Sequence, residues 1–251
     1  MSDIYSGIFR VYDRLNGDID YSGWADFVEE NFSRFAGRKV ESVLDLACGT
    51  GTMTCLLAEQ GYDMIGVDLS EDMLAEAMNK AYDLPQECRP LLLQQSMTKL
   101  RLFAPVDAVV CCLDSLNYLT QPRAVQSTFR RVYENLLSGG IFVFDVNTVY
   151  KFEQLDGQVF LDETDDSYCV WRAAYSRRSH TITYGMDLFR QRRDGAWRRT
   201  LEEHRERAYT REELSEWLES AGFTDIRFFG DLSTAEPGEK ELRIYVSALR
   251  P

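Results

Sequence analysis

The chain has 251 residues, 45% of them hydrophobic, which is enough apolar material for one full core with an insertion. Its net charge of −13 argues against nucleic acid as an obligatory partner, because phosphate binding requires a basic surface. No apolar run reaches membrane-spanning length and the first residues carry no signal-peptide pattern, so we expect a cytoplasmic protein with no membrane partner.

The six cysteines are scattered along the sequence without any C-x-x-C pair, and the chain holds two histidines. Zinc cages draw on paired cysteines and nearby histidines, so this pattern predicts no metal site. We interpret the cysteines as reduced thiols that fill the core.

Residues 1–36 predict short helices, which we expect to form a lid beside the site. Three aromatic residues stand out there: Tyr12, Tyr21 and Trp24. Aromatic faces attract cations, so these rings are expected either to cover a cationic ligand or to pack as ordinary helix residues.

A strand, a glycine-rich turn, a helix and a second strand come next, over residues 40–46, 47–51, 52–60 and 63–68. The two strands carry Asp45 and Asp68 near their carboxyl ends, a pattern typical of a nucleoside-binding βαβ unit. Gly49 and Gly51 let the turn backbone pass close to a ligand. Asp68 is placed to accept hydrogen bonds from both ribose hydroxyls.

The turn itself favours one nucleoside over another. A dinucleotide fingerprint reads G-x-G-x-x-G, but Thr54 stands at the third glycine position. Asp45 would repel a pyrophosphate and suits a ligand with positive charge, such as a sulfonium or ammonium group. The residues therefore favour S-adenosylmethionine over NAD as the cofactor.

Alternating helices and strands continue to about residue 150 and predict a doubly wound, mostly parallel α/β sheet. Near-continuous apolar strands are predicted over 89–94, 106–113 and 140–146, with a helix over 122–137. Two late segments, 223–230 and 242–249, are expected to complete a seven-stranded sheet with its terminal strand antiparallel.

Between these parts, residues 167–209 alternate with a period of two and predict three antiparallel strands. We expect this insertion to lie over the carboxyl ends of the main strands as a substrate lid. The predicted organisation is a helical lid, a cofactor-binding domain in two segments and an inserted sheet, at 1–36, 37–150 with 208–251, and 151–207.

These motifs resemble the class I S-adenosylmethionine-dependent methyltransferases. The resemblance is carried by five segments in order, Asp45–Gly51, Val67–Met73, Gln95–Met97, Asp107–Leu119 and Leu137–Asp145. It implies a Rossmann-like fold and a set of cofactor contacts: Asp45, Ala47, Gly49, Thr50, Gly51, Asp68, Leu69, Ser70, Met73, Ser96, Met97 and Leu113. Tyr12-Asp13-x-Leu15 and Asp20-Tyr21-x-x-Trp24 further resemble the YqeM-like bacterial branch.

Within this family pattern, Leu69 is expected against the adenine because it follows the ribose carboxylate. Ser96 departs from the acidic residue that many relatives carry at its position. Either its hydroxyl or the backbone of Met97 would then read the adenine edge.

Four residues are candidates for the catalytic side: Tyr12, Asp114, Tyr118 and His204. Asp114 follows the fourth strand and is expected either to cap a helix before Asn117 or to serve as a site carboxylate. His204 in the inserted sheet is expected to be a structural residue or a general base, because its ordinary pKa lies near neutrality.

The resemblance implies methyl transfer by in-line displacement, and we expect a small-molecule acceptor with a nitrogen, oxygen or carboxylate nucleophile. Two alternatives stay open: an RNA or protein methyltransferase, and a non-catalytic module that binds S-adenosylmethionine or S-adenosylhomocysteine. Ten arginines against five acidic residues between Trp171 and Arg207 form either a solvated sheet face or a patch that steers an anionic substrate.

Overall fold

A seven-stranded sheet and a separate four-stranded sheet organise the computed structural model, which describes residues 19–164, 166–192, 194–230 and 232–251. The strands are β1 Ser42–Leu46, β2 Asp63–Asp68, β3 Leu91–Gln94, β4 Val106–Cys111, β5 Leu136–Asn147, β6 Val159–Thr164, β7 Ser167–Ser176, β8 Thr181–Gln191, β9 Trp197–Arg207, β10 Thr224–Gly230 and β11 Arg243–Leu249.

Six α-helices accompany the strands in the described residues. They are α1 Tyr21–Phe35, α2 Thr52–Glu59, α3 Glu71–Ala81, α4 Pro122–Asn135, α5 Val149–Leu155 and α6 Arg211–Ala221. Short 3₁₀ turns lie at Gln86–Cys88, Met97–Lys99 and Ser115–Tyr118.

The main sheet has the order β10-β11-β5-β4-β1-β2-β3. Strands β1 to β5 pair in parallel, whereas β11 is antiparallel to both β5 and β10. Apolar side chains cover both faces, one with α4 and α6 and the other with α1 and α2. The doubly wound sheet with an antiparallel last strand that the sequence predicts is therefore confirmed.

Helix starts are fixed by local side chains, as the sequence suggests. Ser70 caps α3 by accepting a hydrogen bond from the Met73 amide. Thr210 and Glu213 form a reciprocal capping box at the start of α6. These caps set where the chain leaves β2 and β9, and so where both loops meet the sheet.

The second sheet has four strands, in the order β6-β7-β8-β9, and all neighbours are antiparallel. The sequence analysis predicts three strands here and misses β6. Every residue of β6 is exposed, so Val159–Thr164 shows none of the apolar alternation that predicts a half-buried strand.

Several predicted boundaries also differ from the structure, among them the start of β5, which lies at Leu136 rather than at residue 140. Helix α4 ends at Asn135 because Leu136 already pairs with Val106 in the sheet. Strand β4 ends at Cys111, since Leu113 and Asp114 take left-handed backbone angles that no strand accommodates. Strand β1 begins at Ser42 rather than at residue 40.

Alternation of side chains gives the inserted sheet two distinct faces. The inner face carries Ile182, Tyr184, Met186, Glu202, His204 and Glu206, which are cross-strand neighbours on β8 and β9. The outer face carries Thr181, Thr183, Asp187, Arg205 and Arg207. The inner face therefore carries apolar, acidic and histidine side chains, whereas the outer face carries threonines, arginines and an aspartate.

All six cysteines are free thiols, but only Cys111, Cys112 and Cys169 are buried, so the expectation that the cysteines fill the core holds for three of them. In the described part of the chain, no helix combines the length and apolar character needed to cross a membrane.

Candidate functional site

The turn between β1 and α2 has an unusual backbone. Ala47, Gly49 and Gly51 all have positive φ, at 64°, 56° and 75°. A Cβ built on Gly49 would meet nothing within 4 Å, whereas one on Gly51 would lie 2.7 Å from the Cβ of Ala77 in α3. Gly49 thus borders open space that a ligand can enter, while Gly51 is required for helix packing.

Asp68 ends β2 beside this turn. Its Oδ2 accepts a hydrogen bond from the Gly49 amide at 3.0 Å, and its Oδ1 accepts one from the Ser70 amide at 2.8 Å. Burial raises the pKa of Asp68, and these amides oppose the rise. A carboxylate oxygen accepts more than one hydrogen bond, so each retains capacity for a ribose hydroxyl.

A cavity of about 290 Å³ opens in front of these residues. Leu69 forms an apolar wall and is 67% exposed, although a leucine of this kind is normally buried. The cavity is lined by eight of the predicted cofactor residues: Ala47, Gly49, Asp68, Leu69, Met73, Ser96, Met97 and Leu113. The arrangement fits an adenosine with its base against Leu69 and its ribose on Asp68.

Asp45 and Thr50 line a smaller adjoining cavity of about 40 Å³. The Thr54 hydroxyl donates to Asp45 at 2.6 Å, and burial together with Asp68 raises the pKa of Asp45 to about 7. Thr54 therefore replaces the third glycine of a dinucleotide fingerprint with a donor that orients a buried acid. A cationic ligand group is the natural partner for such an acid.

The last two predicted cofactor residues, Ser70 and Gly51, line neither cavity. Ser70 holds Asp68 through its amide, and Gly51 begins α2. Both residues therefore support the site without lining either cavity.

The aromatic residues proposed as a lid separate into different roles. Trp24 is buried in the core with its ring centroid 4.9 Å from that of Tyr245, so ordinary helix packing describes it. Tyr21 instead lines the small cavity beside Asp45. Tyr12 lies outside the described residues.

Asp114 belongs to a charged cluster rather than to a helix cap. Its carboxylate makes no capping hydrogen bond and accepts one from Arg243 at 2.6 Å. Arg243 also pairs with the fully buried Asp145, whose other donor is the Asp114 amide at 2.8 Å. Burial raises the pKa of Asp145 to about 6 against the opposing effect of Arg243.

A second buried group adjoins this cluster and escapes the sequence analysis. Glu206 on β9 accepts a hydrogen bond from Asn147 at 3.0 Å, and Lys151 donates to Asn147 at 2.8 Å. Burial raises the pKa of Glu206 to about 8 and lowers that of Lys151. No local motif marks these residues, because three separate elements bring them together.

His204 and Tyr118 connect the inserted sheet to the cofactor cavity. Tyr118 lines that cavity, and its ring meets His204 edge to face at a centroid distance of 6.2 Å. Burial lowers the pKa of His204, so the imidazole is neutral at pH 7 and able to accept a proton. Glu202 Oε2 lies 3.6 Å from His204 Nε2.

Arginines of the inserted sheet are largely neutralised by neighbours on the outer face. Asp187 pairs with both Arg172 and Arg199, and Glu203 pairs with Arg205 at 2.8 Å. This side of the sheet is opposite the inner face that bears His204. The ion pairs agree with a solvated sheet face, which is one of the two interpretations the sequence allows.

Comparison with known proteins agrees with this geometry. Residues 43–140 match the family described as methyltransferase domain. YqeM of Bacillus subtilis (strain 168), which is named a methyltransferase with no acceptor stated, is 35% identical over 98% of this chain and 96% of its own.

Two further proteins are similar to this chain. The dTDP-3-amino-3,4,6-trideoxy-alpha-D-glucopyranose N,N-dimethyltransferase of Streptomyces venezuelae is 33% identical over 54% of this chain and 55% of its own. A crystal structure of an S-adenosylmethionine-dependent methyltransferase from Clostridium acetobutylicum ATCC 824 covers 98% of both chains at 30% identity and a TM-score of 0.85. The chain therefore belongs to the S-adenosylmethionine-dependent methyltransferases.

Proposed function

We propose that this methyltransferase transfers its methyl group to the nitrogen of a small-molecule amine, which Glu202 holds as an ammonium ion. The observation that carries the proposal is the state of the Glu202 carboxylate. Its side chain is only 8% exposed, and Oε2 accepts no hydrogen bond from any residue that the structure describes.

A buried carboxylate oxygen without a donor is costly, because it has lost its hydrogen bonds to water and gained none from the protein. Burial alone raises the pKa of Glu202 to about 7. Its cross-strand neighbour on the inner face is the buried Met186, which offers no hydrogen bond. An ammonium group supplies both the missing charge and the missing donors.

Position supports the same role. Glu202 and His204 are successive inner-face residues of β9, and His204 touches Tyr118 at the wall of the cofactor cavity. An amine bound by Glu202 would therefore lie near the wall of the cofactor cavity that Tyr118 forms.

S-adenosylmethionine supplies a methyl group on a positively charged sulfur. For the nitrogen to attack, its ammonium form must first lose a proton, and neutral His204 is placed to accept it. The nitrogen lone pair then forms the new carbon–nitrogen bond while the carbon–sulfur pair returns to sulfur. Glu202 and Tyr118 keep the amine aligned during this step.

The partial match to an N,N-dimethyltransferase of an amino sugar supports an amine as the acceptor class. The net charge of −13 supports it as well, since an acidic protein attracts cationic substrates. The ion-paired arginines of the outer face give no comparable support to an RNA acceptor.

The test is a methyl-release assay over matched amines, alcohols and carboxylates, with wild type, E202Q and E203Q. Glu203 is the control because it follows Glu202 and lies exposed on the opposite face. We expect turnover with amines only, and a loss of about 100-fold in kcat/KM for E202Q with E203Q unchanged. Turnover confined to alcohols, or equal losses in both variants, would contradict the proposal.

The pH profile gives a second readout. Glu202 must be ionised to bind an ammonium ion, so kcat/KM of the wild type should rise with pH through about 7. The E202Q variant should lack that limb while its affinity for S-adenosylhomocysteine stays unchanged.

A further inference from the structure

A wide groove lies on the outer side of the inserted sheet, where that sheet meets the main domain. We call it the arginine groove: its floor is the outer face around Thr183 and Arg205, and its rim is the β7–β8 turn with Arg178. Pro122, the first residue of α4, and Thr210, the N-cap of α6, close its other side. Its volume is about 860 Å³, within the range of small-molecule sites.

The groove concentrates positive charge in a strongly acidic protein. Arg178, Arg205 and Arg207 line it in a chain of net charge −13, with Glu213 pairing Arg207 from within the lining and the exposed Glu203 pairing Arg205 from outside it. Hydroxyl groups supply much of the remaining polar lining, from Thr120, Ser176, Ser179, Thr181, Thr183 and Thr210. Guanidinium and hydroxyl donors together form the set that recognises phosphate oxygens.

Several of these donors lack partners within the described residues. Arg207 donates to Glu213 through Nη2 at 2.7 Å, but its buried Nη1 makes no hydrogen bond. The buried Nδ1 of His180 is also without one. Arg178 forms no ion pair in the described part of the chain. Buried polar atoms are normally satisfied, so these nitrogens indicate that a ligand completes the site.

Backbone groups at the groove also favour an anionic ligand. Helix α4 begins with Pro122, has no side-chain cap and carries no acidic residue in its first turn. Its partial positive charge is therefore not offset where it borders the groove. His180 holds a left-handed φ of 54° in the rim, and its carbonyl accepts from the Ala208 amide at 2.9 Å, which fixes the rim to the end of β9.

This groove is separate from the methyl-transfer site. Arg205 and Arg207 alternate along β9 with Glu202, His204 and Glu206, so the two sets point to opposite faces of the sheet. An anion bound among the arginines therefore does not enter the cofactor cavity.

We propose that the arginine groove binds a phosphate-bearing small molecule, an organic phosphate or diphosphate. The bound anion bridges the β7–β8 turn of the inserted sheet and the N-terminal ends of α4 and α6 in the main domain. It thereby holds the inserted sheet, which carries the inner-face residues, against the main domain.

The test is calorimetry with inorganic pyrophosphate on the full chain, at low salt and with the cofactor cavity filled by saturating S-adenosylhomocysteine. The test variant is R178A/R205A, and the control is R190A/R198A. Arg190 and Arg198 are exposed cross-strand neighbours at the far end of the same sheet, so the control removes equal charge outside the groove.

We expect pyrophosphate to bind the wild type and the control alike, with affinity that falls as salt rises, and to bind R178A/R205A at least about tenfold more weakly. Absence of binding to the wild type, or an equal loss in both variants, would overturn the proposal. So would tighter binding of a single-stranded oligonucleotide through the same two arginines, which would assign the groove to nucleic acid.

Discussion

The cofactor cavity and the inner face of the inserted sheet are built from different groups, backbone amides in the first and side chains in the second. The cavity is built from consecutive residues at the ends of β1 and β2, and backbone amides of Gly49 and Ser70 do much of the positioning. The inner face is built from side chains, above all Glu202 and His204, whose Oε2 and Nε2 atoms lie 3.6 Å apart. Under the proposed function, a backbone cradle binds the cofactor and side chains on a separate sheet bind the acceptor.

Arg243 pairs with Asp114, next to the cavity residue Leu113, and with Asp145, and removing it is expected to have the largest effect. The R243M variant leaves Asp145 and Asp114 without their cation in a buried position, which should cost about 3–5 kcal/mol of unfolding free energy. Denaturant unfolding at pH 7 and pH 5 measures this. The deficit should shrink at pH 5, because Asp145, with a pKa of about 6 even beside Arg243, then takes up a proton.

A deficit in R243M that is independent of pH would mean that Asp145 does not carry the uncompensated charge. The matched control is Arg131, an exposed arginine of α4 that pairs with Glu134. Its substitution by Met should change the unfolding free energy by less than about 0.5 kcal/mol.

Asp68 tests the cofactor side alone. The D68A variant should bind S-adenosylhomocysteine about 100-fold more weakly, since two hydrogen bonds from ribose hydroxyls to a charged acceptor are lost. Asp63, exposed at the other end of β2, is the control, and D63A should bind normally. Calorimetry gives the affinities and circular dichroism checks the fold. Unchanged affinity in D68A would place the nucleoside elsewhere.

The pair of turn glycines separates ligand contact from packing. G51A must hold an L residue at a φ of 75° and place its Cβ 2.7 Å from that of Ala77, so it should lose about 2–4 kcal/mol of stability. G49A faces open space and should lose about 1 kcal/mol, from its φ of 56° alone. Its cofactor affinity should nevertheless fall, because the new methyl group enters the cavity.

Thermal unfolding with and without S-adenosylhomocysteine distinguishes the two glycine variants. The ligand should raise the midpoint of G51A as much as that of the wild type, and that of G49A by less. The reverse order would assign the ligand contact to Gly51.

The sequence predicts the residues of the cofactor cavity better than it predicts the charged cluster around Arg243. Asp45, Gly49 and Asp68 belong to one continuous βαβ unit, so their spacing is enough to predict the site. Arg243 is 129 residues from Asp114 in the sequence, and no local pattern around either residue predicts their ion pair. Their pairing depends on β11 lying beside β5, which is a property of the whole sheet.

Local sequence patterns also fail to predict the burial of a residue when the surface that covers it comes from a distant part of the chain. The alternation of β9 predicts a strand but not which of its faces is covered, so Glu202 and Glu206 look like solvated acids in the sequence. Only the placement of the sheet over Tyr118 shows that they are buried. Strand β6 is missed for the opposite reason, because nothing covers either face among the described residues.

The last prediction concerns Glu206 and the pH dependence of stability. Burial, with Asp114 nearby, raises its pKa to about 8, so the folded protein retains a proton that the unfolded chain releases near pH 4.5. Stability from this group is therefore complete below pH 4.5 and is lost as the pH rises towards 8. E206Q keeps the hydrogen-bond acceptor for Asn147 without the charge, so it should lose less stability over that range.

Between pH 5 and pH 8 the wild type should lose about 3 kcal/mol more stability than E206Q, from a pKa that rises from 4.5 to about 8 at about 1.4 kcal/mol per unit. Denaturant unfolding from pH 5 to pH 8 measures it, with the exposed Glu203 changed to Gln as the control. If E206Q and the wild type lose stability in parallel, Glu206 is ionised throughout this range. Glu206 would then carry a fixed negative charge on the inner face, and that face would attract cations from pH 5 upwards instead of only after Glu202 ionises near pH 7.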